Sequence, residues 1–98
     1  MYRVFRILAA HKARIDDVLK DDLAGRQSVL HREASSLGIG GEGIILLVQG
    51  TEAGVARAEV LLKDAASVLQ GAEAETAYAR FRSQDEDAAV GMGLIFGP

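Results

Sequence analysis

A chain of 98 residues, 49% hydrophobic and 26% charged, holds one core and one domain, taken as residues 1–98. Its net charge is -3 at pH 7 and it has no cysteine. Disulfides, thiolate metal sites and a catalytic thiol are excluded, and with no Lys/Arg cluster nucleic acid is not an expected partner.

Met1 to Ala9 interleaves Val4, Phe5, Ile7 and Leu8 with Arg3 and Arg6, which predicts a first strand. Its apolar run is far shorter than the roughly 20 residues of a membrane span and lacks the order of a secretory signal. A cytoplasmic protein with no membrane partner is expected. From Lys12 to Leu37 the period changes. Ile15, Val18/Leu19, Leu23, Val29/Leu30, Ala34 and Leu37 recur at three- and four-residue steps, as one stripe of a helix does. Gly25 sits on that stripe, so the segment is either two helices meeting there or one helix bent at it. Gly38 directly follows Leu37, where a left-handed C-terminal cap belongs.

Ile44-Ile45-Leu46-Leu47-Val48 shows no alternation and predicts a central strand covered on both faces. Thr51 then offers an N-cap hydroxyl and Glu52 a negative charge in the first turn. Val55, Ala58, Leu61/Leu62, Ala65 and Val68/Leu69 repeat at helical spacing until Gly71. Ala74 to Arg82 fits a strand or, through Ala74, Ala77, Tyr78 and Phe81, one more helical stripe. The preceding Gly71, the aromatic content and the polar turn Ser83 to Asp87 favour a strand, joined as a hairpin to a last strand at Ala89 to Phe96. On that last strand Gly91, Gly93 and Gly97 lie with Ile95 opposite the bulky Val90, Met92, Leu94 and Phe96. A bare face of this kind marks the close approach of another element or a ligand.

Assembled, the order is β-α(α)-β-α-β-β: an α/β (α+β) sandwich of about four strands in a mixed sheet with two to three helices. Two helical segments can cover one sheet face, and the apolar middle strand needs both faces covered, either by helices on opposite sides or by a partner chain, the simpler answer for a chain this short. Self-association into a homo-oligomer, a dimer or higher, is therefore expected, through the helix-free face or the last strand.

Of the candidate sites, GIGGEG at Gly38 to Gly43 has glycines like a dinucleotide fingerprint but runs helix, glycines, strand, so no helix start faces the loop. It reads as a connector, with a flap over a neighbouring pocket as the functional alternative. VQGTEAG at Val48 to Gly54 has the productive order, and the amides of Thr51, Glu52 and Ala53 point out of the helix start. It serves either simple capping or binding of an anion or carboxylate. His11 and His31 with Asp16, Asp17, Asp21, Asp22 and Glu33 give no convergent metal set, because His31 and Glu33 diverge on a helix. His11 is a candidate general base only if it lies near the Thr51 loop.

The stretch GIILLVQGTEAGVARAEVLLKD, residues 43–64, resembles the strand-to-helix half of small ferredoxin-like regulatory domains of ACT type. The resemblance implies a ferredoxin-like fold and an oligomeric domain. It also implies an amino acid or similar small metabolite at a strand-to-helix loop, which puts the ligand at Gly50, Thr51, Glu52 and Gly54. The expected function is a non-catalytic, oligomeric small-molecule-binding or regulatory module with no cofactor and no metal. The alternatives are an assembly adaptor working through Gly91 and Gly93, and a cofactor-free enzyme of ferredoxin-like dimer type using His11.

Overall fold

The computed structural model describes residues 1–96, with side chains described as far as Gln84. Four strands form one open sheet: β1 (Tyr2–Ile7), β2 (Ser28–Glu33), β3 (Ile44–Gln49) and β4 (Ala66–Leu69). Three α-helices accompany them: α1 (Ala13–Lys20), α2 (Glu52–Leu61) and α3 (Gly71–Phe96). The chain order is therefore β-α-β-β-α-β-α.

The strands lie in the order β2-β3-β1-β4, and every neighbouring pair is antiparallel. The sheet is thus wholly antiparallel, which corrects the mixed sheet expected from sequence. β1 and β2 do run the same way, but β3 lies between them, and β1 in turn separates the co-directional β3 and β4. Register is fixed by Tyr2 opposite Gln49 and Ile7 opposite Ile44, and by Ser28 opposite Gln49 on the other side of β3.

The expectation for β3 holds, since Ile44 to Val48 are all buried. Strand alternation splits them between two cores. Ile44, Leu46 and Val48 join Phe5, Ile7, Ile15, Val18, Val55, Ala58 and Leu62 under α1 and α2. Ile45 and Leu47 join Val4, Leu37, Leu69, Ala77 and Phe81 under α3. The chain covers both faces of the sheet by itself, which removes the reason for expecting a second copy against an open face.

Three expected elements are corrected. The helix expected over Lys12 to Leu37 ends at Lys20. Asp21 turns to extended backbone (ψ 135°), and its carboxylate accepts the N–H groups of Leu23 and Ala24, closing a turn instead of a further helical one. After the 3-10 turn Ala24–Arg26 the chain becomes β2, so Val29 and Leu30 point to opposite faces rather than along one stripe. At Gly25 a Cβ would collide with the Leu19 carbonyl, so glycine allows this turn to fold back on α1. Gly38 does adopt the left-handed conformation (φ 69°), capping the short 3-10 turn Ser35–Leu37 rather than a long helix.

The second correction is α2, which stops at Leu61 rather than running on to Gly71. Leu62 closes it, and Ala66–Leu69 pairs with β1, so that Leu69 packs on the sheet face away from α2. The third is the C-terminal hairpin. Ala74 to Arg82, the polar run after it and Ala89 to Phe96 all belong to α3. The Ala74, Ala77, Tyr78, Phe81 stripe packs against the sheet, and the Ala- and Glu-rich composition favours helix. Gly91 and Gly93 therefore do not form a bare strand face, and Gly97 lies outside the described residues. Among the described residues no helix is long and apolar enough to cross a membrane.

Candidate functional site

The Gly50–Gly54 loop lies where a strand end meets a helix start, as expected. Thr51 is the N-cap of α2, its Oγ1 accepting the Gly54 N–H at 3.0 Å. A residue that local reasoning did not find completes the arrangement. Gln27, just before β2, places its Oε1 2.9 Å from the Thr51 N and 3.4 Å from Thr51 Oγ1, while its Nε2 donates to the Leu23 carbonyl at 2.9 Å. A Cβ on either Gly50 or Gly54 would strike this Gln27 side chain. The two glycines thus give the amide of Gln27 room to lie on the loop. Glu52 is exposed in the first turn.

His11 does not approach this loop. β1 and β3 are neighbours but antiparallel, so His11 follows the Ile7 end beside Ile44, whereas Thr51 follows Gln49 about 16 Å away along the strand. That removes the geometry on which a His11 general base depended. His31 and Glu33 are both exposed on β2 and not on a helix. Among the described residues no group of three His, Asp or Glu side chains could hold a metal ion. Asp21 is structural: beyond the turn it closes, Oδ1 accepts from Nε of Arg57 on α2 at 3.0 Å.

The glycine loop before β3 is held by a strand residue. The Arg6 guanidinium donates to the Glu42 carbonyl at 2.8 Å and to the Gly40 carbonyl at 2.9 Å. Arg6 sits on the α3 face of β1, on the same side as Val4, and there it lines a cavity of about 410 Å³ with Ile39, Leu69, Ala72, Glu73 and Thr76. The size falls within the 300–1,000 Å³ range of small-molecule sites. Arg6 brings a cation to its lining and the exposed Glu73 a carboxylate, while Ile39, Leu69 and Ala72 supply apolar surface. Among the described residues neither Arg6 nor Glu73 forms an ion pair. The sequence carried one signal of this site, the charge of Arg6 set between the apolar Phe5 and Ile7 in a strand that also holds Arg3. Glu73 gave none, since it stands between Gly71 and the Ala74–Arg82 segment and belongs to no candidate motif.

On the other flank of α3, the Tyr78 ring stacks on Tyr2 with centroids 4.2 Å apart and planes 15° from parallel. Its hydroxyl accepts from Gln49 Nε2 at 2.9 Å and from an Arg82 guanidinium nitrogen at 3.4 Å. The Arg82 hydrogen bond first, then that of Gln49, holds the phenol below the usual tyrosine range.

No family model, no curated protein and no solved structure matches this chain.

Proposed function

We propose that this chain is a non-catalytic small-molecule-binding or regulatory module of ferredoxin-like type, working in the cytoplasm, with its ligand in the cavity between α3, β1 and the glycine loop. The observation that carries the reading is the placement of Arg6 and Glu73. Two opposite charges without ion-pair partners among the described residues line one 410 Å³ cavity together with the apolar Ile39, Leu69 and Ala72. Such a lining suits a small metabolite with polar ends and an apolar middle, because each buried charge on the ligand meets its complement. The ferredoxin-like reading is supported by two interleaved β-α-β units, β1-α1-β2 around β3 and β3-α2-β4 around β1. The Gly50, Thr51, Glu52 and Gly54 loop has weaker support as the ligand loop, because Gln27 already supplies the oxygen that its first amide binds.

Self-association belongs to this reading as a homo-oligomer through the β2 edge, a six-residue strand paired on one side only among the described residues. Sedimentation giving a monomer at high micromolar concentration removes that part and leaves the binding reading intact.

The test of the binding reading is a thermal-shift screen of amino acids, nucleotides and phosphorylated metabolites on the full chain. A compound that raises Tm, and that loses its effect in both Arg6→Gln and Glu73→Gln, supports the assignment. A screen in which nothing stabilises the protein, or a hit indifferent to both substitutions, overturns it.

A further inference from the structure

We propose that the cavity between α3, β1 and the glycine loop takes an ω-amino acid, a carboxylate and an ammonium group at opposite ends of one short aliphatic chain. This rests on the reading of that cavity given above and narrows it to one class of ligand.

Arg6 is held ready for the carboxylate end. Its Nη1 donates to the Glu42 carbonyl and its Nη2 to the Gly40 carbonyl. A Cβ on Gly41 would lie 2.8 Å from Nη1 and 3.4 Å from Nη2, so the guanidinium rests against the loop at that glycine. These contacts use two of its five N–H groups. The other three have no acceptor among the described residues. A planar fork already fixed in place loses little freedom on binding, and a carboxylate matches its geometry.

Glu73 sets the ammonium end. It stands in the first turn of α3, and among the described residues its carboxylate has no hydrogen-bond or ion-pair partner. Seven residues on, about 10 Å along the helix, Arg80 reaches the loop at Gly38, where a Cβ would lie 3.4 Å from its Nη1. Cations therefore gather on the loop, and the carboxylate stands near the start of α3. Arg6 and Glu73 are too far apart to pair with each other, so the two charges of a ligand that satisfies both belong on separate ends of it. Ile39, Leu69 and Ala72 give the hydrocarbon chain its apolar surface. Arg6 and Glu73 are also the only ionisable side chains among the described lining residues, which a ligand of zero net charge matches one for one.

The experiment titrates the full chain with 6-aminohexanoate, its isomer 2-aminohexanoate, hexanoate and hexylammonium, following backbone amide NMR shifts. The two isomers share atoms and net charge and differ only in where the ammonium stands. The expected result is saturable binding of 6-aminohexanoate with shifts at Gly40, Gly41, Glu42 and Glu73. It should bind about threefold tighter than 2-aminohexanoate or hexanoate, a modest factor because Glu73 is exposed. Hexylammonium, which misses the Arg6 contact, should be about tenfold weaker than 6-aminohexanoate. Glu73→Gln, which leaves the loop contacts of Arg6 intact, should remove the advantage of 6-aminohexanoate over hexanoate without changing hexanoate itself. Arg6→Gln should weaken both acids about tenfold. Equal or tighter binding of 2-aminohexanoate, a preference that survives Glu73→Gln, or no saturable shift with 6-aminohexanoate overturns the proposal. The thermal-shift screen then decides separately on the cavity: a hit of another class lost in both Arg6→Gln and Glu73→Gln keeps it as a binding site, and a blank screen removes it as well.

Discussion

Oδ1 of Asp21 accepts from Nε of Arg57 at 3.0 Å, tying the end of α1 to α2 across thirty-six residues, while Oδ2 closes the turn by accepting Ala24 N–H at 2.9 Å and Leu23 N–H at 3.1 Å. The Ala24 N–H is the largest influence on this carboxyl. Partial burial opposes it, and the Arg57 and Leu23 hydrogen bonds and the Arg57 charge add to it, so that the net effect holds Asp21 below the usual carboxylate range. A carboxyl whose pKa falls on folding stabilises the native state above its unfolded pKa, and that contribution is lost as pH drops through the folded value. Tm should therefore fall through the acid range. Asp21→Asn keeps an acceptor for the turn and removes the charge. It should lower Tm near neutral pH, and the gap to the native chain should close in acid. Curves that stay parallel across the acid range would mean that the charge contributes nothing.

The middle strand gives a second test, because adjacent residues enter different cores. Ile45 and Leu46 are both fully buried, one under α3 and the other under α1 and α2. Truncation to Ala should cost about 2–5 kcal/mol at either position, measured by denaturant unfolding. A small loss at Ile45 with a large one at Leu46 would mean that α3 does not seal its side of the sheet.

What could be read from sequence was local, and what could not was decided at a distance. The unbroken Ile44 to Val48 run predicted a strand buried on both faces, and the Thr51 cap predicted where α2 starts. Both depend on neighbours within a few residues. The segment from Lys12 to Leu37 misled because apolar spacing there fits a helix by coincidence: Asp21 stops α1 through its own carboxylate, and Val29 and Leu30 serve opposite faces. Val68 and Leu69 likewise continued the helical spacing of α2, although pairing with β1 makes them a strand. The coverage of β3 was legible, but its source was not, since Gly71, the aromatic residues and the polar Ser83 to Asp87 run favour a hairpin where α3 stands. Of the candidate sites, the capping glycines were visible. Gln27, Arg6 and Glu73 acquire their roles only when segments far apart in sequence meet.

Arg6 has two roles that separate experimentally. Its guanidinium clamps the Gly40 and Glu42 carbonyls, and it also lines the cavity that Glu73 lines. Arg6→Gln should therefore speed amide hydrogen exchange through the 38–43 loop and abolish the response to a stabilising ligand. Glu73→Gln should leave that exchange unchanged and affect the ligand alone. Identical exchange in Arg6→Gln and the native chain would show that the clamp does not hold the loop.

Gln27 and Gly54 make the sharpest prediction, because the sign of one substitution should depend on the other. Gly54 lies in the first turn of α2, where Ala is preferred over Gly by about 1 kcal/mol. A Cβ there would meet the Gln27 side chain, whose Oε1 holds the Thr51 N–H and whose Nε2 holds the Leu23 carbonyl. In the native chain Gly54→Ala should push Gln27 off the loop and break both hydrogen bonds, at about 0.5–1.5 kcal/mol each, which outweighs the gain in helix propensity. Gln27→Ala alone should destabilise by about 1–2 kcal/mol for the same reason. In the Gln27→Ala background the obstruction is gone, so Gly54→Ala should stabilise by up to about 1 kcal/mol. The cycle measured by denaturant unfolding should then show a coupling of about 2 kcal/mol between two residues twenty-seven positions apart. Additive effects would mean that Gln27 does not rest on the loop, and the glycines at 50 and 54 would need another explanation.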